Sequence, residues 1–354
     1  MVAREVPLGD LVTLKRGYDL PARRRRPGPV PVVSSSGIVD RHVEARVAGP
    51  GVVLGRTGTL GCVTFVEADF WPLNTTLYVS DFKGHEPRYI SGLLETIDYL
   101  TLNDKAAVPG VCRATLHDLP VPRVPAIQQQ RIGRLLGLLD RKRCVLTRLD
   151  ATLAGLAQAL FAELPRPMES TVEALCDTIV NGGTPSRRDP ICWEDGTLPW
   201  YRSGELNDGP LTAAGESISA AALERSNCRR LDAGTVLVAL YASPTVGRLG
   251  LLTETAAANQ ACCALSAREE CGNALLYHLL LDARAHLQSL ATGAAQQNIR
   301  QSVVRNLAVR LPSTRDARIF QGRIAPLHRQ RAACRRELSA LVRLRQAELT
   351  RTLT

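Results

Sequence analysis

"GPGVVLGRTGTLGCV", residues 49–63, sets glycines and threonines around one arginine, Arg56, behind an apolar run rich in β-branched residues. A phosphate-gripping loop of the Walker type needs Gly-Lys-Ser/Thr opening a helix, and this stretch has no lysine. A related stretch, "GTVLVALYASPTVG", occupies residues 234–247 and is poorer in glycine. Each reads as a glycine, an apolar run, a short loop, then Thr, an aliphatic residue and Gly. The glycines therefore point to tight turns between strands rather than to a nucleotide.

The two stretches belong to a longer repeat. Thr59-Leu60-Gly61 matches Thr245-Val246-Gly247 at an offset of 186. Asn74 falls opposite Asn259 at 185, and Arg113 and Pro125 fall opposite Arg300 and Pro312 at 187. "LGDLVTLKRGYDLP" opens the first copy and "VEALCDTIVNGGTP" the second. "VPGVCRATLHDLPVPRVP" and "QQNIRQSVVRNLAVRLP" close them. Several matches in one order at a near-constant offset mark a duplicated unit.

A long helical stretch follows each copy. In residues 125–164, alternating steps of four and three select Ile132, Leu136, Leu139, Arg143, Leu146, Asp150, Leu153, Ala157 and Leu160. This is a heptad seam with two polar interruptions. In residues 314–353 the same steps select Phe320, Ile324, Leu327, Arg331, Cys334, Leu338, Leu341 and Arg345. Arg143 and Arg331 take equivalent places. Pro326 is expected to kink the second helix or mark a false start, because it lacks a donor and crowds the carbonyl of Gly322. Antiparallel pairing would form a bar roughly 60 Å long, at ~1.5 Å per residue, with one globular unit at each end. The domains expected are 1–124, a helical region 125–165, 166–312, and a helical region 313–354.

Charge is concentrated in the helices. The chain of 354 residues carries a net charge of +10. Residues 126–164 hold six Arg and Lys against three Asp and Glu, and residues 313–354 hold ten against three. The helices thus account for the whole excess, which invites a polyanionic or acidic partner. No apolar run approaches the ~20 residues of a membrane span. The opening "MVAREVPLGDL" has no basic segment followed by an apolar one, so a cytoplasmic protein is expected. The ten cysteines are scattered, with one adjacent pair and no C-x-x-C, which favours buried free thiols over disulfides or zinc. The six histidines form no metal-like spacing.

The chain resembles the specificity subunit of type I restriction–modification systems. The resemblance rests on the closing and opening motifs above, and on "VPVVSSSGIV", "DFWPLNTTLYV", "VNGGTPSRRD", "TLPWYRSGEL" and "GAAQQNIRQSVVRNLAVRLP". It covers nearly the whole chain, although the chain is compact for that family. It implies a mixed α/β (α+β) fold: two homologous target recognition domains, joined and followed by long helices that form an antiparallel coiled coil. Each domain would read one half of a bipartite sequence in double-stranded DNA. The helices would set the unread gap and dock two methyltransferase subunits, and restriction subunits would join them. Such a subunit is not itself an enzyme. S-adenosylmethionine, ATP and magnesium belong to its partners. In keeping with this, the sequence has no Asn-Pro-Pro-Tyr motif and no Walker A motif. Two other readings are a specificity subunit of a type IIB-like system and a coiled-coil scaffold that binds no DNA.

Reading bases needs Arg, Asn, Gln, Ser or Thr on loops of a rigid domain. In the first copy the candidates are the Pro-bounded run Arg23, Arg24, Arg25 and Arg26, then Ser34, Ser35, Ser36, Arg41, Arg56, Thr57, Lys105 and Arg113. In the second they are Arg187, Arg188, Tyr201, Arg202, Ser203, Glu205, Tyr241, Ser243, Gln296, Gln297, Asn298 and Arg300. The arginine run reads as a phosphate clamp. Arg113 and Arg300 recur in both copies, so they suit phosphate contact or fold support better than the reading of different bases. The candidates differ between copies, so the expected target is asymmetric.

Overall fold

A computed structural model describes residues 5–99, 101–102, 110–241, 245–292 and 298–353. The chain divides into two compact units, one of residues 1–143 with 341–354 and one of residues 144–340.

Short apolar runs bounded by Gly and Pro become the strands of the first unit. It opens with β1 (Glu5–Pro7), α1 (Leu8–Leu11), β2 (Thr13–Arg16), β3 (Val30–Ser34) and β4 (Gly37–His42). Then come β5 (Gly51–Gly55), β6 (Val63–Val66), β7 (Trp71–Pro72) and β8 (Thr76–Asp81). It continues with α2 (Pro87–Glu95), α3 (Arg113–His117) and β9 (Pro120–Pro122). The main sheet has the order β2-β8-β5-β6, with every pairing antiparallel. A second sheet has the order β4-β3-β7, and β1 pairs with β9. Alternation along the strands decides which side each residue serves. Val52, Leu54, Leu77 and Val79 point into one core with Tyr89, Ile90, Leu93 and Leu94 of α2. Val53 and Tyr78 point into another with Val33 and Phe70.

A single helix, α4 (Ala126–Ala162), follows. Pro125 precedes it, and its carbonyl accepts from the amides of Gln128 and Gln129 at 2.9 and 3.0 Å.

The second unit contains β10 (Met168–Thr171), α5 (Val172–Leu175), β11 (Cys176–Asn181), β12 (Leu198–Tyr201), β13 (Gly209–Leu211) and β14 (Glu216–Ile218). After these come α6 (Ala220–Arg225), β15 (Val236–Ala239), β16 (Leu249–Leu252), β17 (Ala257–Ala258) and β18 (Cys262–Ala267). It closes with α7 (Asn273–Asp282), α8 (Arg284–Ser289), α9 (Gln301–Arg305), β19 (Ala308–Leu311) and the long α10 (Thr314–Leu353). The sheets are ordered β11-β18-β15-β16-β13 and β14-β12-β17, with β10 paired to β19. Strand for strand this repeats the first unit, including the parallel pairing of β12 with β17 that mirrors β3 with β7. The addition is β13, which lies parallel to β16.

Segments of α4 and α10 run antiparallel within each unit. In the first, Leu136 and Leu349 share one core, and Asp140 lies 4.0 Å from Arg345. In the second, Asp150 meets Arg331 and Arg335, and the rings of Phe161 and Phe320 pack edge to face. Of the expected seam residues, Leu136, Leu139, Leu146, Ile324 and Leu341 are buried. Ile132, Leu153, Leu160, Leu327 and Leu338 are half-buried.

Three expectations need correction. Of the two outcomes expected at Pro326, the false start is excluded, because α10 runs through it. Gly322 and Pro326 are both exposed, so water can reach the carbonyl that loses its donor. Arg143 and Arg331 are not equivalent, since Arg143 is exposed while the Arg331 side chain is 4% exposed. Finally, α4 contains a window of mean hydropathy 1.2, long and apolar enough to cross a membrane by length and composition alone. That helix spends part of its apolar surface inside the protein, through Leu146, Ala157 and Phe161.

Within the second unit, His278 of α7 and His328 of α10 stack, with their Nε2 atoms 3.2 Å apart. Burial is the main cause that holds them to about 3 and about 4, well below the ordinary histidine value of 6.5, with Arg331 adding to it. In the unfolded chain both rings take up protons near pH 6.5. Their contribution to stability is therefore complete above pH 6.5 and is lost as pH falls toward 4. Urea unfolding of the wild type is expected to weaken steadily over that range. A His278→Leu/His328→Leu variant is expected to show a shallower decline, and equal slopes would contradict the assignment.

Candidate nucleic-acid interface

In the first unit two ends of one hairpin gather the candidate side chains. Ser35 and Ser36 form the turn between β3 and β4. Ser34 Oγ accepts from the amide of Ser36 at 3.1 Å, so it shapes that turn. The turn lies against the opening loop, because a side chain at Gly55 would come within 2.8 Å of the Ser35 carbonyl. Within that loop the Arg56 amide donates to the Thr75 carbonyl at 3.0 Å. The Arg56 carbonyl accepts from Val111 at 3.1 Å, and Thr57 bridges Gly110. This places Ser35, Ser36, Arg56, Thr57 and the exposed Arg113 on neighbouring segments.

The open end of the hairpin carries the arginine run. Arg25 pairs with Asp40 at 3.1 Å, and Arg26 pairs with Glu44. The amide of Arg41 and the Arg25 guanidinium hold the Asp40 carboxyl below its ordinary value. Arg41 itself donates to the Pro29 carbonyl at 2.6 Å. Arg23 and Arg24 are exposed in a short 3-10 turn and make no ion pair with a described residue. Half of the run is thus engaged internally, and Arg23 and Arg24 are the half open to a ligand.

The second unit repeats the loop pairing. The Leu240 carbonyl accepts from Ile299 at 2.8 Å, and Tyr241 bridges Asn298. Gly61 and Gly247 close the two loops at φ of 71° and 76°, a conformation that other residues rarely adopt. Arg113 is the first residue of α3, whereas Arg300 is the N-cap of α9, the place that Cys112 takes in the first unit, so the two arginines matched in sequence stand one position apart in structure. Lys105, Ser243, Gln296 and Gln297 lie outside the described residues.

The β3–β4 turn has a larger counterpart. Between β12 and β14 the chain makes an excursion over residues 202–215 that includes β13. Arg202, Ser203 and Glu205 stand at its start. The Glu205 carboxylate accepts from the amides of Arg202 at 2.8 Å and Gly215 at 2.7 Å, tying the two ends of the excursion together. Tyr201, expected at the surface, is fully buried among Leu206, Leu237 and Ala258. Its position as the last residue of β12 turns it inward. Arg187 is also committed internally. It grips Glu216 with two bonds of 2.6 and 2.9 Å and lies 3.7 Å from the centre of the Trp193 ring. That bond is the main cause lowering the Glu216 carboxyl. Arg188 is exposed and makes no ion pair with a described residue.

Sequence reasoning missed some participants. Cys112, next to Arg113, is exposed, and the amides of Ala114 and Thr115 lower its thiol. Arg331 and Arg335 reach the excursion from α10. No periodic signal marks such contacts, because they join residues more than a hundred positions apart.

Comparison with known proteins places this geometry. Residues 168–327 match the type I restriction modification DNA specificity domain. The matched residues lie in the unit whose strand order the first unit repeats. No curated protein matches the sequence. Among solved structures, the chain is similar to the S subunit of a type I restriction–modification system from M. genitalium. The identity is 14% and the TM-score 0.67, over 99% of this chain and 96% of that one. The HsdS subunit from Thermoanaerobacter tengcongensis is 18% identical over 99% of this chain and 96% of its own, with a TM-score of 0.36. The likeness to the M. genitalium S subunit is one of fold.

The contrast between neighbouring arginines is testable. Arg187→Ala is expected to destabilise the protein by about 1 kcal/mol, through loss of the Glu216 grip and the ring contact. Arg188→Ala is expected to stay within about 0.5 kcal/mol of the wild type. Urea titrations of the two variants compare them directly, and equal losses would contradict the assignment.

Proposed function

We propose that the chain is the DNA sequence-recognition subunit of a type I restriction–modification complex. The observation that carries this is the repetition of one topology: the unit matched to the specificity domain has a second copy in the same chain. In this reading each unit contacts one half of a bipartite site in double-stranded DNA. The paired helices act as a coiled-coil ruler for the unread gap. The target is asymmetric, because a two-residue serine turn in one unit stands where the other has the 202–215 excursion.

The helices also supply a surface for partners. Val145, Leu149 and Leu156 are 63%, 37% and 47% exposed on α4, at steps of four and seven that keep them near one helix face. They suit the docking of methyltransferase subunits, two per chain, with restriction subunits joining that assembly. The chain supplies recognition, and the partners supply the chemistry with S-adenosylmethionine, ATP and magnesium. Its place is the cytoplasm, with the DNA.

In the first unit Arg23 and Arg24 are the phosphate contacts, since Arg25 and Arg26 are neutralised by Asp40 and Glu44. The test is duplex DNA binding by the assembled complex across a range of salt concentrations. Arg23→Gln/Arg24→Gln is expected to weaken binding to all sequences alike and to reduce the log–log salt slope by about 2. An unchanged slope would remove these residues from the interface.

A further inference from the structure

The excursion between β12 and β14 is held at two places. Glu205 closes its base, as described above. Its far side, residues 207–210, rests on α10. Arg335 donates to the Pro210 carbonyl at 3.2 Å and bonds the Asn207 side chain, while Arg331 donates to the Asp208 carbonyl at 3.3 Å. The same two guanidiniums share one acid on the neighbouring helix. Arg331 Nε is 2.8 Å from Asp150 Oδ1, and Arg335 Nε is 3.1 Å from Asp150 Oδ2. These are largely buried charges, with side chains 4%, 16% and 17% exposed for Arg331, Arg335 and Asp150.

The local backbone fits this arrangement. Asp208 adopts φ of 60°, unusual for a residue other than glycine. Its carboxylate accepts from the Leu249 amide at 2.9 Å and from Arg284. At Gly209 a side chain would stand 2.4 Å from an Arg335 nitrogen, so the guanidinium lies directly across the glycine backbone and would have to shift to admit one. In the first unit the corresponding turn is only Ser35 and Ser36. There the α10 arginine, Arg345, reaches Glu95 of α2 and Asp140 of α4 instead.

We propose that Arg331 and Arg335 are positioning residues for sequence discrimination by the second unit. They fix the excursion that carries Arg202 and Ser203 to the α4–α10 pair through the shared Asp150 carboxylate. The proposal rests on the reading of this unit as a DNA-recognition domain. Neither arginine needs to touch DNA. They set where the turn stands, and a turn displaced by about 1 Å loses the geometry that hydrogen bonding to base edges requires. The contact belongs to one unit, so the consequence falls on one half-site.

The test uses the assembled methyltransferase complex with Arg335→Gln, Arg335→Lys and Asn207→Ala. Two properties are measured: methylation at the preferred site against sites with one base changed in either half, and amide hydrogen exchange over residues 207–211. Arg335→Gln is expected to lower selectivity about tenfold in one half-site, leave the other unchanged, and speed exchange at 207–211. Arg335→Lys keeps the charge and is expected to recover only part of the loss. Asn207 is exposed, so Asn207→Ala leaves the core intact and is expected to shift the same half-site in the same direction. Unchanged selectivity in Asn207→Ala and Arg335→Gln would overturn the proposal. So would an equal fall in both halves accompanied by a lower unfolding temperature, which would mark a general loss of fold. A wild-type complex that writes no two-part motif would instead refute the recognition reading, and the exchange measurement would still report whether the clamp exists.

Discussion

Neither sheet closes its core with its own connections alone. In the first unit Leu136 and Leu349 enter the core formed by the main sheet and α2, and both would press on any side chain added at Gly92. In the second, Ala157, Phe161, Phe320 and Ile324 enter the core beneath α7. Removing such apolar surface from water is the main favourable term in folding, at about 25 cal/mol per Å². Each unit therefore depends on segments of two helices far apart in sequence. The last turns of α10 complete the unit that begins at the other end of the chain. That constraint makes the helices part of the folded cores rather than separable spacers.

Charge placement refines the same arrangement. Asp150 interrupts the apolar spacing of α4, yet the two guanidiniums of Arg331 and Arg335 meet its carboxylate. A buried ion pair gains little net stability over an apolar contact, but losing one partner leaves an uncompensated charge and is costly. Such a group favours one register over others. Here it also holds the excursion that distinguishes the second unit from the first. Elsewhere arginines are neutralised by nearby acids, as Arg25, Arg26 and Arg187 are by Asp40, Glu44 and Glu216. A basic run in sequence is therefore not the same as a basic surface.

How much of this was legible in the sequence follows from which interactions are local. Gly61 and Gly247 stood out as equivalent because a positive φ leaves few alternatives to glycine. The helices were legible because their apolar spacing repeats at the helical period, whereas the sequence left open whether Pro326 bends the second helix or breaks it, and the helix is unbroken. The strand β13 was not legible: three residues with a central proline carry no alternation. Tyr201 looked like a loop residue because the end of β12 cannot be located without its neighbours. The division of arginines into free and paired depends on acids brought close by the fold, as when Glu216 meets Arg187 across 29 positions.

The central claim is that one chain carries two DNA-reading units of the same fold and different specificity. Single-molecule methylome sequencing tests it most directly, in cells that express the methyltransferase subunit with and without this chain. The account predicts a new adenine-methylated motif in two unequal halves separated by a fixed unread gap, present only with the chain. A palindromic motif, or no new motif from a methyltransferase shown to be bound and active, would contradict it.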